Sequence, residues 1–145
     1  MKTAALLLRL GLGALWIYAG VMKLRDPQQF FEDVRNFKIT GWDLSMLIAI
    51  YLPWLETVVG AALVSRRWSA GASTLSGIMA LVFLGAIASA WARGLDITCG
   101  CFGHDDSNRT NYPLHVGMNV ALLVFSALLF RLEFRLNARP ATPTP

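Results

Sequence analysis

The sequence predicts an all-α integral membrane protein: a four-helix bundle with a short interfacial amphipathic helix between spans 1 and 2. Three observations carry that prediction. More than half of the 145 residues are hydrophobic and only 15% are charged, the balance of a chain that lives in lipid. Apolar runs of roughly twenty residues recur four times, each long enough as a helix to cross a bilayer core. The basic residues stand at the ends of those runs and form no stripe interleaved with aromatics. The net charge of +4 therefore reads as a membrane-orientation signal, with lipid as a partner and no nucleic acid. The length suits one domain, residues 1–136, followed by a tail over 137–145.

The first span covers about 3–22. Lys2 in front and Ala19-Gly20 behind would suit a secretory signal peptide, but the apolar region is too long and Arg9 interrupts it. Trp16 and Tyr18 near its far end suit an interfacial belt. Asp26-Pro27-Gln28-Gln29 then reads as a helix start, with Asp26 as N-cap, Pro27 at the first helical position and Gln29 closing a capping box. Phe30, Phe31, Val34 and Phe37 recur at helical spacing, with Glu32, Asp33 and Arg35 elsewhere around the helix. That pattern suits a helix lying in the interface.

The second span, about 44–65, carries Pro53, which should kink it, and Glu56, an ionisable group at membrane depth. Ser65-Arg66-Arg67-Trp68-Ser69 is a tight basic turn. The third span, about 70–91, is rich in small residues such as Gly71, Ser73, Ser76, Gly77 and Gly85. Small residues let spanning helices approach closely, which places this one in the middle of the bundle. A loop over 92–113 follows, then the fourth span over about 114–130. The tail from about residue 137, with Arg139 and three prolines, has no apolar face to bury and is expected to be disordered.

Four spans put both termini on one side. The terminal side carries Lys2, Arg66, Arg67, Arg131, Arg135 and Arg139, and the opposite side also has six basic residues, offset there by seven acidic ones. The double-arginine turn is very short, whereas the opposite loops are long and charge-balanced. Density thus favours cytoplasmic termini and an extracytoplasmic 92–113 loop in the cell membrane.

That loop holds the only two cysteines, Cys99 and Cys101, separated by Gly100. Outside the cytoplasm thiols tend to oxidise, and no third cysteine exists to pair with either. A disulfide across one glycine closes a small, strained ring that staples almost nothing, so its use is exchange rather than structure. Two incidental reduced thiols are the plain alternative. Gly100 permits the tight backbone, and Gly103 a turn after Phe102. His104, three residues after Cys101, is placed either to stabilise a thiolate or simply to be solvated. Cys99, Cys101, His104, His115 and Met118 together would also make a soft-ligand set for copper or zinc, but their spacing matches no common zinc pattern.

Three separated stretches resemble the MauE/DoxX family of redox-associated membrane proteins. They are Gly94-Leu95-Asp96-Ile97-Thr98-Cys99-Gly100-Cys101-Phe102-Gly103, the segment from Trp16 to Pro27, and Leu52-Pro53-Trp54-Leu55-Glu56-Thr57-Val58-Val59-Gly60. The resemblance covers roughly residues 5–130. It implies a four-helix membrane bundle and, for the MauE branch, a role with a thioredoxin-like partner in forming or correcting disulfides of exported proteins. Met118-Asn119 stands where members often carry Arg-Asn, which removes an arginine from the site.

Glu56 and Arg9 lie at similar depths from the inner surface, about 12 and 8 Å at 1.5 Å per residue. A salt bridge between the first two spans is the expectation, acting either as a packing clamp or as a proton relay. Phe83, Trp91, Phe102 and Tyr112 are candidates to line a quinone pocket near the outer surface, although aromatics there also serve as belt or core. Four-helix thiol oxidoreductases that use quinone usually relay electrons between two cysteine pairs, and this chain has one. The sequence reading is therefore a membrane thiol–disulfide redox protein with Cys99 and Cys101 as its reacting residues. Gly100, Phe102, His104, Glu56 and Arg9 support them. A non-enzymatic membrane anchor or assembly factor and a copper- or zinc-handling protein are the alternatives.

Overall fold

The computed structural model describes residues 2–65, 68–95 and 111–137. Cys99, Gly100, Cys101, Phe102, His104, most of the 92–113 loop and the tail beyond residue 137 lie outside them. The described residues form five helices and no strand: α1 (Lys2–Arg25), α2 (Pro27–Asn36), α3 (Trp42–Val64), α4 (Ser69–Ala92) and α5 (Tyr112–Asn137). Helices α1, α3, α4 and α5 are each long and apolar enough to cross a bilayer. With α2 between the first two, this is the predicted architecture, a multi-pass membrane bundle.

The helices outrun the apolar runs that announced them. α1 continues through Lys23 to Arg25, and α5 continues past Phe130 to Asn137. A helix does not stop where hydropathy stops; lysine and arginine are good helix formers and carry it into the polar region. α1 ends at Asp26, whose side chain accepts a hydrogen bond from the Gln29 amide at 3.0 Å, with Pro27 opening α2 as expected. Gln29 does not close a capping box. Its side-chain amide donates forward to Asp33 at 3.2 Å, because the buried Asp33 carboxylate on the next turn needs donors. α2 buries Phe30 and Asp33 and leaves Glu32 and Arg35 in a surface pair. Its Phe31 meets Trp42 of α3 edge-on at 5.0 Å, and Arg35 lies over the same indole.

α1 and α3 approach closely, and glycine makes it possible. A Cβ built at Gly13 would stand 2.7 Å from Val64 and 2.9 Å from the Gly60 carbonyl; one at Gly60 would stand 2.7 Å from the Gly13 carbonyl. Gly20 presses on the Pro53 carbonyl and on Thr57 in the same way. Of the small residues of α4, Ser73, Ser76 and Ala80 are buried, with Ser76 and Gly77 against Ser126 of α5, whereas Gly71 and Gly85 face open space. α3 is continuous through Pro53.

Trp16 is not an interfacial residue. It is 2% exposed, because α1 runs nine residues further and leaves it in the interior. Its indole N–H donates to Ser76 Oγ at 2.7 Å, and Ser76 pairs with Ser126 Oγ at 2.8 Å, linking α1, α4 and α5 through the core. Tyr18 is exposed. Leu12, Val59, Leu63, Met79, Leu122 and Leu129 pack around this link.

Candidate functional site

The two ends of the cysteine segment are fixed by local chemistry that the structure does describe. α4 ends in a Schellman turn: Leu95 N–H bonds back to Ala90 O at 3.1 Å and Gly94 N–H to Trp91 O at 3.0 Å. Gly94 takes φ +62°, the left-handed position that favours glycine, which is why the helix stops there. Arg93 folds across the end and donates to the carbonyls of Phe37 and Lys38, tying α4 to the turn that follows α2. On the other side, Asn111 caps α5 through Leu114 N–H at 3.3 Å. The Trp91 and Tyr112 rings stack with centroids 6.0 Å apart and planes 7° from parallel, and the Tyr112 hydroxyl donates to Leu95 O. Leu95 and Tyr112 are therefore held together at one clamped point, beside the residues that follow α2.

Glu56 does not pair with Arg9. It is fully buried and accepts two hydrogen bonds from Lys23 Nζ, at 2.7 and 2.8 Å. The glycine contacts explain the exchange of partners. Gly13 sits opposite Gly60 and Val64, so Arg9, one turn earlier, is carried past the end of α3 and meets Glu133 of α5 at 3.9 Å. Gly20 sits opposite Pro53 and Thr57, so Lys23, one turn later, reaches Glu56. Lys23 follows the last uncharged residue of the run and reads in sequence as an outer-surface charge; it is 4% exposed. The spacing of Gly13, Gly20 and Gly60 was the signal for this register.

Lys23 Nζ also stands 5.4 Å from the Phe30 ring centroid and 5.6 Å from that of Phe83. It forms part of the wall of an apolar groove of about 910 Å³ bounded by α2, α3 and α4. Of the aromatics expected around one pocket, Phe83 lines this groove, whereas Trp91 and Tyr112 stack together at the loop clamp and do not line it. Phe102 lies outside the described residues. No group of three or more metal-ligating His, Cys, Asp or Glu occurs among the described residues. Of the soft-ligand set, Met118 lies in a cleft between α1 and α5 beside Leu8 and Leu12, and His115 stands one turn nearer the loop. Asn119, the second residue of the Met118-Asn119 pair, is buried and donates to the His115 carbonyl at 2.9 Å.

Comparison with known proteins gives one family. Residues 1–132 match the model for methylamine utilisation protein MauE. The chain is 32% identical to the methylamine utilization protein MauE of Paracoccus denitrificans, over 94% of this chain and 73% of that protein. It is 36% identical to the protein of the same name from Methylorubrum extorquens, over 85% of this chain and 64% of that one. No solved structure matches the chain.

Proposed function

The chain belongs to the MauE family of methylamine utilisation proteins, and from that premise we propose that it is a membrane thiol–disulfide exchange protein serving the maturation of exported proteins. Cys99 and Cys101 form its redox pair, and its partner is a thioredoxin-like extracytoplasmic protein. The observation that carries the reading is the placement of the only two thiols in the chain, one residue apart, in a polar segment between two spanning helices. In the proposed reaction a thiolate of one chain attacks the disulfide of the other. The resulting mixed disulfide is resolved by the second cysteine, with one S–S bond formed for each one broken.

The clamp of Trp91, Arg93, Tyr112 and the α2 end supports the reading by giving the segment a fixed base. His104 supplies a cation for the thiolate, Gly100 the tight backbone and Phe102 an apolar contact for a docked partner. Lys23–Glu56 and Arg9–Glu133 act on the bundle that carries the segment. Burial of Lys23 also bears on sidedness. With it inside the bundle, the loop side keeps five basic residues (Arg25, Arg35, Lys38, Arg93, Arg109) against six on the terminal side. The proposal is thus cytoplasmic termini and an extracytoplasmic cysteine loop.

The test is a redox titration of the pair in native membranes, trapping free thiols with a large, membrane-impermeant alkylating reagent. A reversible two-electron transition with labelling from the exterior is expected, together with a trapped mixed disulfide to a thioredoxin-like protein when either cysteine is changed to serine. Thiols that stay reduced under mild oxidants, or label only after permeabilisation, refute it. Retention of full function by the Cys99→Ser/Cys101→Ser protein would leave a membrane anchor or assembly factor.

A further inference from the structure

We propose that the buried group of Lys23, Asp33 and Glu56 holds one proton, and that its release lets α2 lift from the bundle. The buried ionisable side chains among the described residues are Arg9, Lys23, Asp33, Glu56 and Glu133. Arg9 and Glu133 balance each other at the terminal side. Lys23 stands fourteen residues further along α1, about 21 Å away on the helix axis. The other end therefore buries two carboxylates against one ammonium, with one negative charge in surplus when all three are ionised.

The three side chains lie together under α2. Both Glu56 oxygens accept from Lys23 Nζ, at 2.7 and 2.8 Å. The Phe30 ring of α2 lies 5.4 Å from the same Nζ. Asp33 is the other buried residue of α2, three positions on and so on the same face. Lys23 and Asp33 share the wall of the groove. Lys23 is 4% exposed, Asp33 3% and Glu56 0%, so water does not screen the surplus charge. Arg25, Asp26, Lys38 and Asp43, the charges nearest in sequence, are all exposed. Glu32 and Arg35 hold each other on the outer face of α2. Arg93 of the α4 end is directed to the carbonyls of Ser89, Phe37 and Lys38, and Tyr51 of α3 faces the groove.

A buried surplus charge is costly, and a group so placed neutralises by binding a proton. Two carboxylates in one site act in the same direction, because each opposes the ionisation of the other. One proton shared between Asp33 and Glu56 leaves the group neutral. α2 supplies the pH dependence. It is ten residues long, and Asp33 is its buried ionisable side chain. Lifting α2 carries Asp33 into water, where a carboxyl gives up its proton from about pH 4 upward. The docked group thus keeps a proton that the lifted one releases to water. Docking is strongest in acid and weakens as pH rises, by up to a factor of about ten per pH unit. This site is independent of the exchange proposed for Cys99 and Cys101.

The test uses the full chain in phosphatidylcholine nanodiscs. Infrared spectroscopy reads the carbonyl stretch of a neutral carboxyl, and hydrogen exchange, corrected for the intrinsic effect of pH, reads the protection of α2. A helix this short frays once it leaves the bundle, so lifting exposes its amides. The wild type should show the carboxyl band at neutral pH, and should lose the band and α2 protection together as pH rises. Asp33→Asn keeps the side chain's shape and an acceptor for Gln29 while removing the surplus charge. It should lack the band at neutral pH, wherever the proton sits, and keep α2 protected throughout. Glu32→Gln, on the exposed face, should behave as the wild type. A wild type without the band at neutral pH, or a band that persists in Asp33→Asn, overturns the bound proton. α2 protection that stays constant as pH rises, or falls equally in Asp33→Asn, overturns its link to docking. If Asp33→Asn does not fold, the wild-type band and its loss in step with α2 protection decide alone.

Discussion

Replacing Lys23 by methionine should be among the most destabilising single changes in the bundle, and the structure says by how much. The substitution keeps the length and apolar stem of the side chain and removes the ammonium that holds both Glu56 oxygens at 2.7 and 2.8 Å. Both partners are buried, so no solvent replaces the lost interaction. Leaving one member of such a pair alone costs about 3–5 kcal/mol, whereas replacing both by apolar groups of similar size is often near neutral. Lys23→Met and Glu56→Gln are each expected to cost about 3–5 kcal/mol, and Lys23→Met/Glu56→Leu to return to within about 1 kcal/mol of the wild type. Arg9–Glu133 provides the internal contrast. At 3.9 Å that pair is too long for a hydrogen bond, so although both groups are buried its coupling should be weaker than that of Lys23–Glu56. The assay is reversible unfolding in mixed micelles of a mild detergent and dodecyl sulfate, followed by circular dichroism. If Lys23→Met loses less than about 1 kcal/mol, or loses no more than Arg9→Met, the burial argument for this pair is wrong.

Gly60→Ala should cost about 1–3 kcal/mol by forcing α1 and α3 apart, since its Cβ would meet the Gly13 carbonyl and Ile17 at 2.7 Å. Gly85→Ala, with nothing within 4 Å, should be neutral or stabilising by up to about 1 kcal/mol; the same unfolding assay reads both. Lys38 has φ +50° at the turn out of α2, so Lys38→Gly should raise stability by up to about 1 kcal/mol, seen as a higher melting temperature. Tyr112→Phe removes the donor to Leu95 O and should cost about 1 kcal/mol. It should also speed hydrogen exchange at Gly94 and Leu95, while a change at the far end of the bundle should not.

The fold was legible in the sequence because bilayer thickness imposes one strong periodic signal, a run of about twenty apolar residues. The start of α2 was legible for a different reason: Asp26-Pro27 encodes its own cap chemistry. What could not be read were the partners across helices. Hydropathy treated Lys23 as the edge of a span, when the residue that sets its depth is Gly20 packed on Pro53. Trp16 looked like a belt residue because an apolar run ending at Met22 places it near a surface. The helix actually continues, and the indole has a buried acceptor in Ser76. The gathering of small residues in α4 was a count without a direction. Glycines decide helix approach only where they face another backbone, as Gly13, Gly20 and Gly60 do. For the site, the Cys-Gly-Cys pair was visible as covalent structure, whereas the groove depends on side chains from three helices and has no local motif.

The polar contacts of α1 give the bundle its order. In lipid the hydrophobic effect does not tell one apolar helix face from another, so close packing and polar links must specify neighbours. α1 carries one link to each of the other spans: Lys23 to Glu56 on α3, Trp16 to Ser76 on α4, and Arg9 to Glu133 on α5. They stand at successive heights along α1, so a rotation or slide of that helix breaks at least two together. α1 packs closely on α3, and α4 on α5. α3 and α4 also meet, and α2 covers part of the groove beside them through Phe30 and Phe37. Lys23, which fixes α1 against α3, therefore also forms part of that groove's wall.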